Sequence, residues 1–156
     1  MIRPARPSDQ TVIVEIIDTC LREIEDRLFL DGEGKDLTDI ESAYIKKGGA
    51  FVVLEAAGSV VGTHATLPVD QENGIITFRR LYLRREYRGR GHGRRLMQWA
   101  IDWSRDHDFR EIAFWSDIRF TRAHRFFESF GFEKGETRNM NDTPLPYSEY
   151  RFRLRL

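Results

Sequence analysis

Downstream of Tyr87 the chain reads Arg88-Gly89-Arg90-Gly91-His92-Gly93-Arg94-Arg95, three alternating glycines set among cationic residues. The chemistry these types serve at this spacing is phosphate binding. A residue without a Cβ lets successive backbone N–H groups close on an anion, and a helix that starts there adds unpaired N–H groups and the positive end of its dipole. Arginine adds forked, charge-assisted hydrogen bonds. The guanidinium groups of Arg88, Arg90 and Arg94 are assigned to the phosphate, with Gly89, Gly91, His92 and Gly93 contributing main chain. Arg79, Arg80, Arg84 and Arg85 read as a solvated strand edge instead.

The loop must be held by what flanks it. Ile75 to Leu83 is rich in β-branched, aromatic and aliphatic residues and predicts a strand, while Leu96, Ala100 and Trp103 have helical spacing and predict a helix from near Gly91 to about His107. A further strand, Glu111 to Trp115, completes a strand, helix, strand unit and implies one parallel crossover. Upstream, Ser8 caps a first helix over Val12 to Ile24, and Thr38 with Glu41 has capping-box spacing for a short second helix ending at Gly48-Gly49. Ala50 to Glu55 and Ser59 to Leu67 form an antiparallel hairpin. Ala123, Phe126, Phe127 and Phe130 make the stripe of an amphipathic helix that stops at Gly131. Phe132 to Met140 and Ser148 to Leu156 are the last strands. The fold class is α+β: a mixed sheet of six to seven strands flanked by about four helices, in one domain over residues 1–156.

Three phosphate loops have to be separated. A Walker loop ends in Gly-Lys-Ser/Thr, but Gly93 precedes Arg94-Arg95, so the lysine and the metal-binding hydroxyl are missing. A dinucleotide loop needs Gly-x-Gly-x-x-Gly after the first strand of its fold, and here the period is wrong and the loop lies mid-chain. Arg/Gln-x-x-Gly-x-Gly/Ala is satisfied by Arg88, Gly91 and Gly93. With Leu81-Tyr82-Leu83 before it and Ala123-x-x-Phe126-Phe127-x-x-x-Gly131-Phe132 after it, the chain resembles the GNAT acyltransferase superfamily.

The resemblance implies acetyl-coenzyme A as cosubstrate and direct attack by a primary amine of a small molecule, amino acid or peptide within a ternary complex. It implies cofactor contacts from Leu81, Tyr82, Leu83, the loop Arg88 to Arg94, Phe120, Ala123 and Phe127, and backbone donors for the oxyanion at Leu81 and Leu83. Departures are visible. Many relatives carry tyrosine, a proton donor, where Phe127 stands, and asparagine where Phe120 stands. A general acid is worth about 10²–10⁴-fold in rate, and a thiol is already a tolerable leaving group, so the gap need not abolish turnover. Ser116 and Tyr82 are the acid-base candidates, with Asp117, Tyr147 and His124 behind them. The alternative reading is a catalytically weak acyl-coenzyme A binding or sensor domain. Glu23, Glu25, Asp26, Asp31 and Glu33 lie where relatives build the acceptor site and would suit a cationic amine; read on their own, they are first a solvated helix face.

Composition narrows the classes. With 25 Lys+Arg, 25 Asp+Glu and a formal net charge of zero, the chain lacks the basic excess of a nonspecific nucleic-acid or membrane binder. Four histidines without a second ligand at i+3 or i+4, and one cysteine, make no metal pattern. Cys20 sits in an apolar helical run and reads as core. No signal-like or membrane-length apolar run is present, which gives the expectation of a cytoplasmic protein. The last strand, Tyr150 to Leu156, is a candidate for pairing across a two-fold axis in a homodimer.

Overall fold

The computed structural model describes residues 1–141 and 143–156. Position 142 falls in the loop expected between Met140 and Ser148 and lies outside the described residues. Seven strands, β1 (Ile2–Pro4), β2 (Ala50–Ala56), β3 (Ser59–Asp70), β4 (Ile75–Leu83), β5 (Glu111–Asp117), β6 (Glu133–Met140) and β7 (Tyr147–Arg155), form one sheet in the order β1-β2-β3-β4-β5-β7-β6. Among the described residues, four α-helices accompany it: α1 (Gln10–Arg22), α2 (Ile40–Ala43), α3 (His92–Asp106) and α4 (Thr121–Ser129). The fold is the mixed α+β architecture expected, with β4 and β5 as its one parallel pair.

The helices bury their apolar stripes on opposite faces. Ile13, Ile17 and Leu21 of α1 pack with Phe51, Val53, Ala65 and Tyr44 on one side. Met97, Ala100 and Ile101 of α3 and Phe127 of α4 pack with Ile76, Phe78, Ile112, Phe114 and Phe152 on the other. At roughly 25 cal/mol per Å² of apolar surface, these two clusters are the main source of stability. The β2–β3 hairpin turns at Ala57-Gly58, both at positive φ (52° and 79°), the twist a two-residue hairpin favours.

Three local expectations change. Ser8 does not cap α1: it lies in a 3₁₀ turn over Pro7–Asp9. Asp9 controls the entry instead, accepting the Arg6 N–H at 2.7 Å and a forked contact from Arg3 at 2.8 and 3.0 Å. The cap of α2 is Asp39, which takes the Ser42 N–H at 3.1 Å, while the Thr38 hydroxyl donates back to Lys35. β7 lies between β5 and β6, so both its edges are occupied and it offers nothing to a two-fold partner.

Candidate functional site

β4 and β5 pair only through Ile75 with Glu111 and Ile76 with Ile112. Beyond those two positions the strands part, and a cleft of about 410 Å³ lies between them. The parting has a local cause. Thr63 of β3 faces Tyr82 and Ala65 faces Arg79, so His64 alone stands opposite both Arg80 and Leu81. That extra residue is a β-bulge, which bends a strand and sharpens its twist. Arg80 occupies it at φ 60°.

The bulge also sorts side chains by face. Phe78 and Leu81 pack toward α3, whereas Tyr82 joins the α1 cluster. The Arg84 N–H donates to Val61 at 2.9 Å, so ladder alternation turns the Leu83 peptide groups away from β3. The Leu83 carbonyl accordingly accepts from Arg88 Nε at 3.0 Å. Leu81 and Leu83 thus lie on the stretch of β4 that has no partner strand on its β5 side.

The glycine loop joins β4 to α3. Gly89 and Gly91 have φ of 75° and 83°, and a Cβ built on either meets nothing within 4 Å. Their requirement for glycine is therefore conformational, and the space over the loop is open. Gly91 is the N-cap of α3 and supplies no side-chain cap. Among the described residues, the backbone N–H groups from Gly89 to Arg94 have no main-chain acceptor. Six adjacent donors at a helix N-terminus fit a pyrophosphate. Arg90 and Arg94 flank them, their guanidinium carbons 5.8 Å from the Tyr87 ring centroid and 4.6 Å from that of Phe130.

Arg88 departs from its assignment. Its guanidinium donates to Glu23 at 2.7 and 3.0 Å as well as to the Leu83 carbonyl, and its own N–H goes to Arg85. It ties the loop to the end of α1, with most of its donors engaged within the chain. Arg80 departs more sharply. It belongs to a central strand and its side chain is 6% exposed, far from a solvated edge. It donates to both oxygens of Asp36, to Glu33 Oε2 at 3.3 Å and to the Glu33 carbonyl at 2.6 Å. Tyr44 donates its hydroxyl to the same Asp36. Burial raises the Glu33 carboxyl above its ordinary range, with Arg80 opposing the rise.

On the opposite wall Arg119 reaches across the cleft. It contacts Asp117 at the end of β5 at 2.6 Å and Asp26, beyond α1, at 2.7 Å. Phe120 lines the cleft with its ring centroid 6.3 Å from that of Tyr82, and Ala123 and Trp115 line it too. Phe127 is buried against Phe114 and Phe152, at 4.9 and 5.2 Å between centroids, with one side on the cleft.

The acid-base candidates differ in where their protons go. Ser116 Oγ lies 3.2 Å from His124 Nε2, a hydrogen-bonded pair at the end of β5. Tyr82 lines the cleft without a hydroxyl partner among the described residues, and burial pushes its pKa up to about 12. No group of three His, Cys, Asp or Glu residues gathers for a metal among the described residues.

The sequence model of the acetyltransferase (GNAT) family matches residues 15–132. The chain belongs to the GNAT acetyltransferase family. The GNAT match runs from α1 through α4 and so contains the loop, the bulge and the parted strands. Among curated relatives, the N-acetylaspartate synthetase of Danio rerio is 29% identical over 133 residues, 76% of this chain and 47% of that protein. The probable N-acetyltransferase camello of Xenopus tropicalis is 28% identical over 117 residues, 74% and 53%. The GNAT chain spans about half the length of the curated relatives it matches. Among solved structures, an acetyltransferase from Streptococcus agalactiae superposes with TM-score 0.81 at 21% identity over 96% of both chains. A GNAT superfamily phosphinothricin acetyltransferase from Sinorhizobium meliloti, in complex with acetyl-CoA, gives 0.79 at 17% identity, covering 100% of this chain and 88% of that one. At these identities the likeness is one of fold.

The sequence did not single out Arg80, Asp36 or Arg119. A signal for the first was present: Ile76 and Phe78 alternate in one phase, Leu81 and Leu83 in the other. Such a one-residue slip inside a strand is how a bulge is written. No helix among the described residues is long and apolar enough to cross a membrane.

Proposed function

We propose that residues 1–156 form an acetyl-coenzyme A dependent N-acetyltransferase domain acting on a primary amine. The observation that carries this reading is the meeting, on one strand, of the uncapped N–H loop with the cleft behind it. An anion held at Gly89 to Arg94 leaves an extended arm of the same molecule only the parted strands to enter. Acetyl-coenzyme A, when bound, supplies the activated thioester. The complex named for the Sinorhizobium protein and the N-acetyltransferase names of the curated relatives agree with it.

The chain's own residues divide the work. The loop amides, with Arg90 and Arg94, bind the pyrophosphate. The Leu81 and Leu83 N–H groups, facing the cleft, stabilise negative charge developing on the acyl oxygen; one such donor is worth about 10²–10³-fold in rate. The amine enters from the α1 face, where Glu33 takes its proton. A carboxyl raised by burial is a better base at neutral pH than an ordinary one. Tyr82 keeps its proton at neutral pH and can release it to the departing sulfur, the place that Phe127 cannot fill. Ser116 is the weaker candidate because its hydroxyl is already engaged with His124 Nε2.

The test is free-thiol release from acetyl-coenzyme A against a broad panel of amines, with calorimetry for cofactor binding. Thiol release that depends on the amine is the expected result. Cofactor binding with no release for any amine would leave a binding domain and end the enzyme reading. Gly91→Glu places a carboxylate in the open space over the loop and is expected to abolish cofactor binding while the domain still unfolds cooperatively. Unchanged affinity would remove the phosphate assignment.

A further inference from the structure

We propose that the acceptor is a zwitterion, an amine that also carries a carboxylate, and that Arg79, with Arg27 at the mouth of the cleft, receives the carboxylate. The proposal rests on the acyl-transfer reading above. Its ground is how the charges around the acceptor arm pair off. Asp26 and Asp117 share Arg119, and Glu33 and Asp36 share Arg80. Glu149 is matched by Arg138. Each shared guanidinium serves two carboxylates, so each wall presents a cluster with one more acid than arginine in its ion pairs.

Against these stand two cations whose acidic neighbours, Asp36 for Arg79 and Asp18 for Arg27, are each held by another arginine. Arg79 and Arg27 line the same cleft, both are exposed, and neither forms an ion pair among the described residues. Arg27 rests over Phe29 at 4.8 Å from the ring centroid, which leaves its donor edge free. Arg79 precedes the bulge, and its charge bears on Asp36 and Tyr44, which places it on the α1 face beside Glu33's cluster.

A plain amine would find partners for its ammonium in the acidic clusters and two guanidinium groups repelling it. An amine with a carboxylate satisfies both signs. The fork of Arg79 suits a planar carboxylate, and anchoring that end fixes the amine against Glu33. Specificity then follows by exclusion: an uncharged or purely cationic acceptor leaves the guanidinium groups unmatched.

The experiment compares matched acceptors, each amino acid against its carboxamide and against the amine left when the carboxylate is replaced by hydrogen, following thiol release from acetyl-coenzyme A. The amino acids are expected to show kcat/KM at least about 10-fold above both counterparts. Arg79→Gln is expected to raise KM for the amino acid about 10- to 100-fold, to leave KM for the decarboxylated amine in place, and to be partly rescued by Arg79→Lys. Equal turnover of acids, amides and amines, or an equal KM shift for all three, would overturn the carboxylate site while leaving acyl transfer intact. Release of thiol with none of them ends the acyl-transfer reading instead. The site is then decided by calorimetric titration of amino acids into the coenzyme A-loaded protein, where absent heat, or equal heat with Arg79→Gln, overturns it. Arg79 is exposed and unpaired, so its replacement does not endanger the fold.

Discussion

Arg80 grips Asp36 by both carboxylate oxygens, Nε to Oδ2 at 3.0 Å and Nη2 to Oδ1 at 2.5 Å, from a main-chain position with φ of 60°. A left-handed arginine costs roughly 1–2 kcal/mol in backbone energy. The ion pair offsets that cost and links the bulge in β4 to the segment that carries Glu33. The same contact therefore shapes the cleft and places the base proposed above.

Replacing Arg80 by methionine removes the ion-pair partner of the half-buried Asp36 and Glu33. A loss of about 3–5 kcal/mol is expected, read as a fall in the urea midpoint. Arg80→Met with Asp36→Leu should recover much of the stability and none of the activity. A single variant as stable as the parent would show that the pair contributes nothing to the fold.

Glu33→Gln tests the base. The working form is the carboxylate, so kcat/KM should fall as pH drops through a pKa raised above the ordinary carboxylate range by burial. The variant is expected to lose about 10²–10⁴-fold in kcat and the acidic limb with it. Retention of that limb would assign it to another group.

Tyr82→Phe removes the proton proposed for the sulfur and should lower kcat by about 10²-fold or more, with little change in KM for the cosubstrate. Because its pKa is pushed up to about 12, Tyr82 should produce no basic limb below pH 10. Phe127→Tyr in the Tyr82→Phe background is expected to restore part of the rate, since Phe127 borders the same cleft. Ser116→Ala should change turnover by less than Tyr82→Phe does. The reverse ranking would move the acid to Ser116 and His124.

Asp9 offers a test of stability that leaves the cleft untouched. Contacts from Arg3 and the Arg6 N–H hold its carboxyl below the usual range. A depressed folded-state pKa stabilises above the unfolded value, near pH 4, and the benefit disappears as pH falls through the folded value. Asp9→Asn is expected to cost about 1.5–3 kcal/mol at pH 7, narrowing below pH 4 in pH-dependent denaturation. A constant difference across that range would show that the charge is not what matters.

Much of the fold was legible because it depends on periodicity. β4 was read to the residue, and α3 and α4 followed from Leu96, Ala100, Phe126 and Phe127 at helical spacing. The loop was legible because glycine at positive φ leaves its mark in composition. The entry to α1 was not, since the carboxylate of Asp9 turns to Arg3 of β1 and the Arg6 N–H and makes no cap bond to the helix, contacts that local sequence does not show. Arg80 was misplaced for a related reason: two arginines in a strand look solvated until the bulge turns one of them onto distant acids. Arg88 satisfied a motif, but its side chain answers to Glu23, 65 positions away.

The parting of β4 and β5 creates strand edges in the middle of the sheet, where unpaired main-chain groups face a recess. Such edges invite pairing with other chains and, on an outer margin, would be sites of aggregation. Here the two outer margins are the three-residue β1 and β6, whose exposed run carries Glu133, Lys134, Glu136 and Arg138. One is too short and the other too charged to template a neighbour. On the function proposed above, the unsatisfied backbone that would hold an extended ligand is confined to a place that another protein strand does not reach, so ligand capture and resistance to edge pairing do not compete.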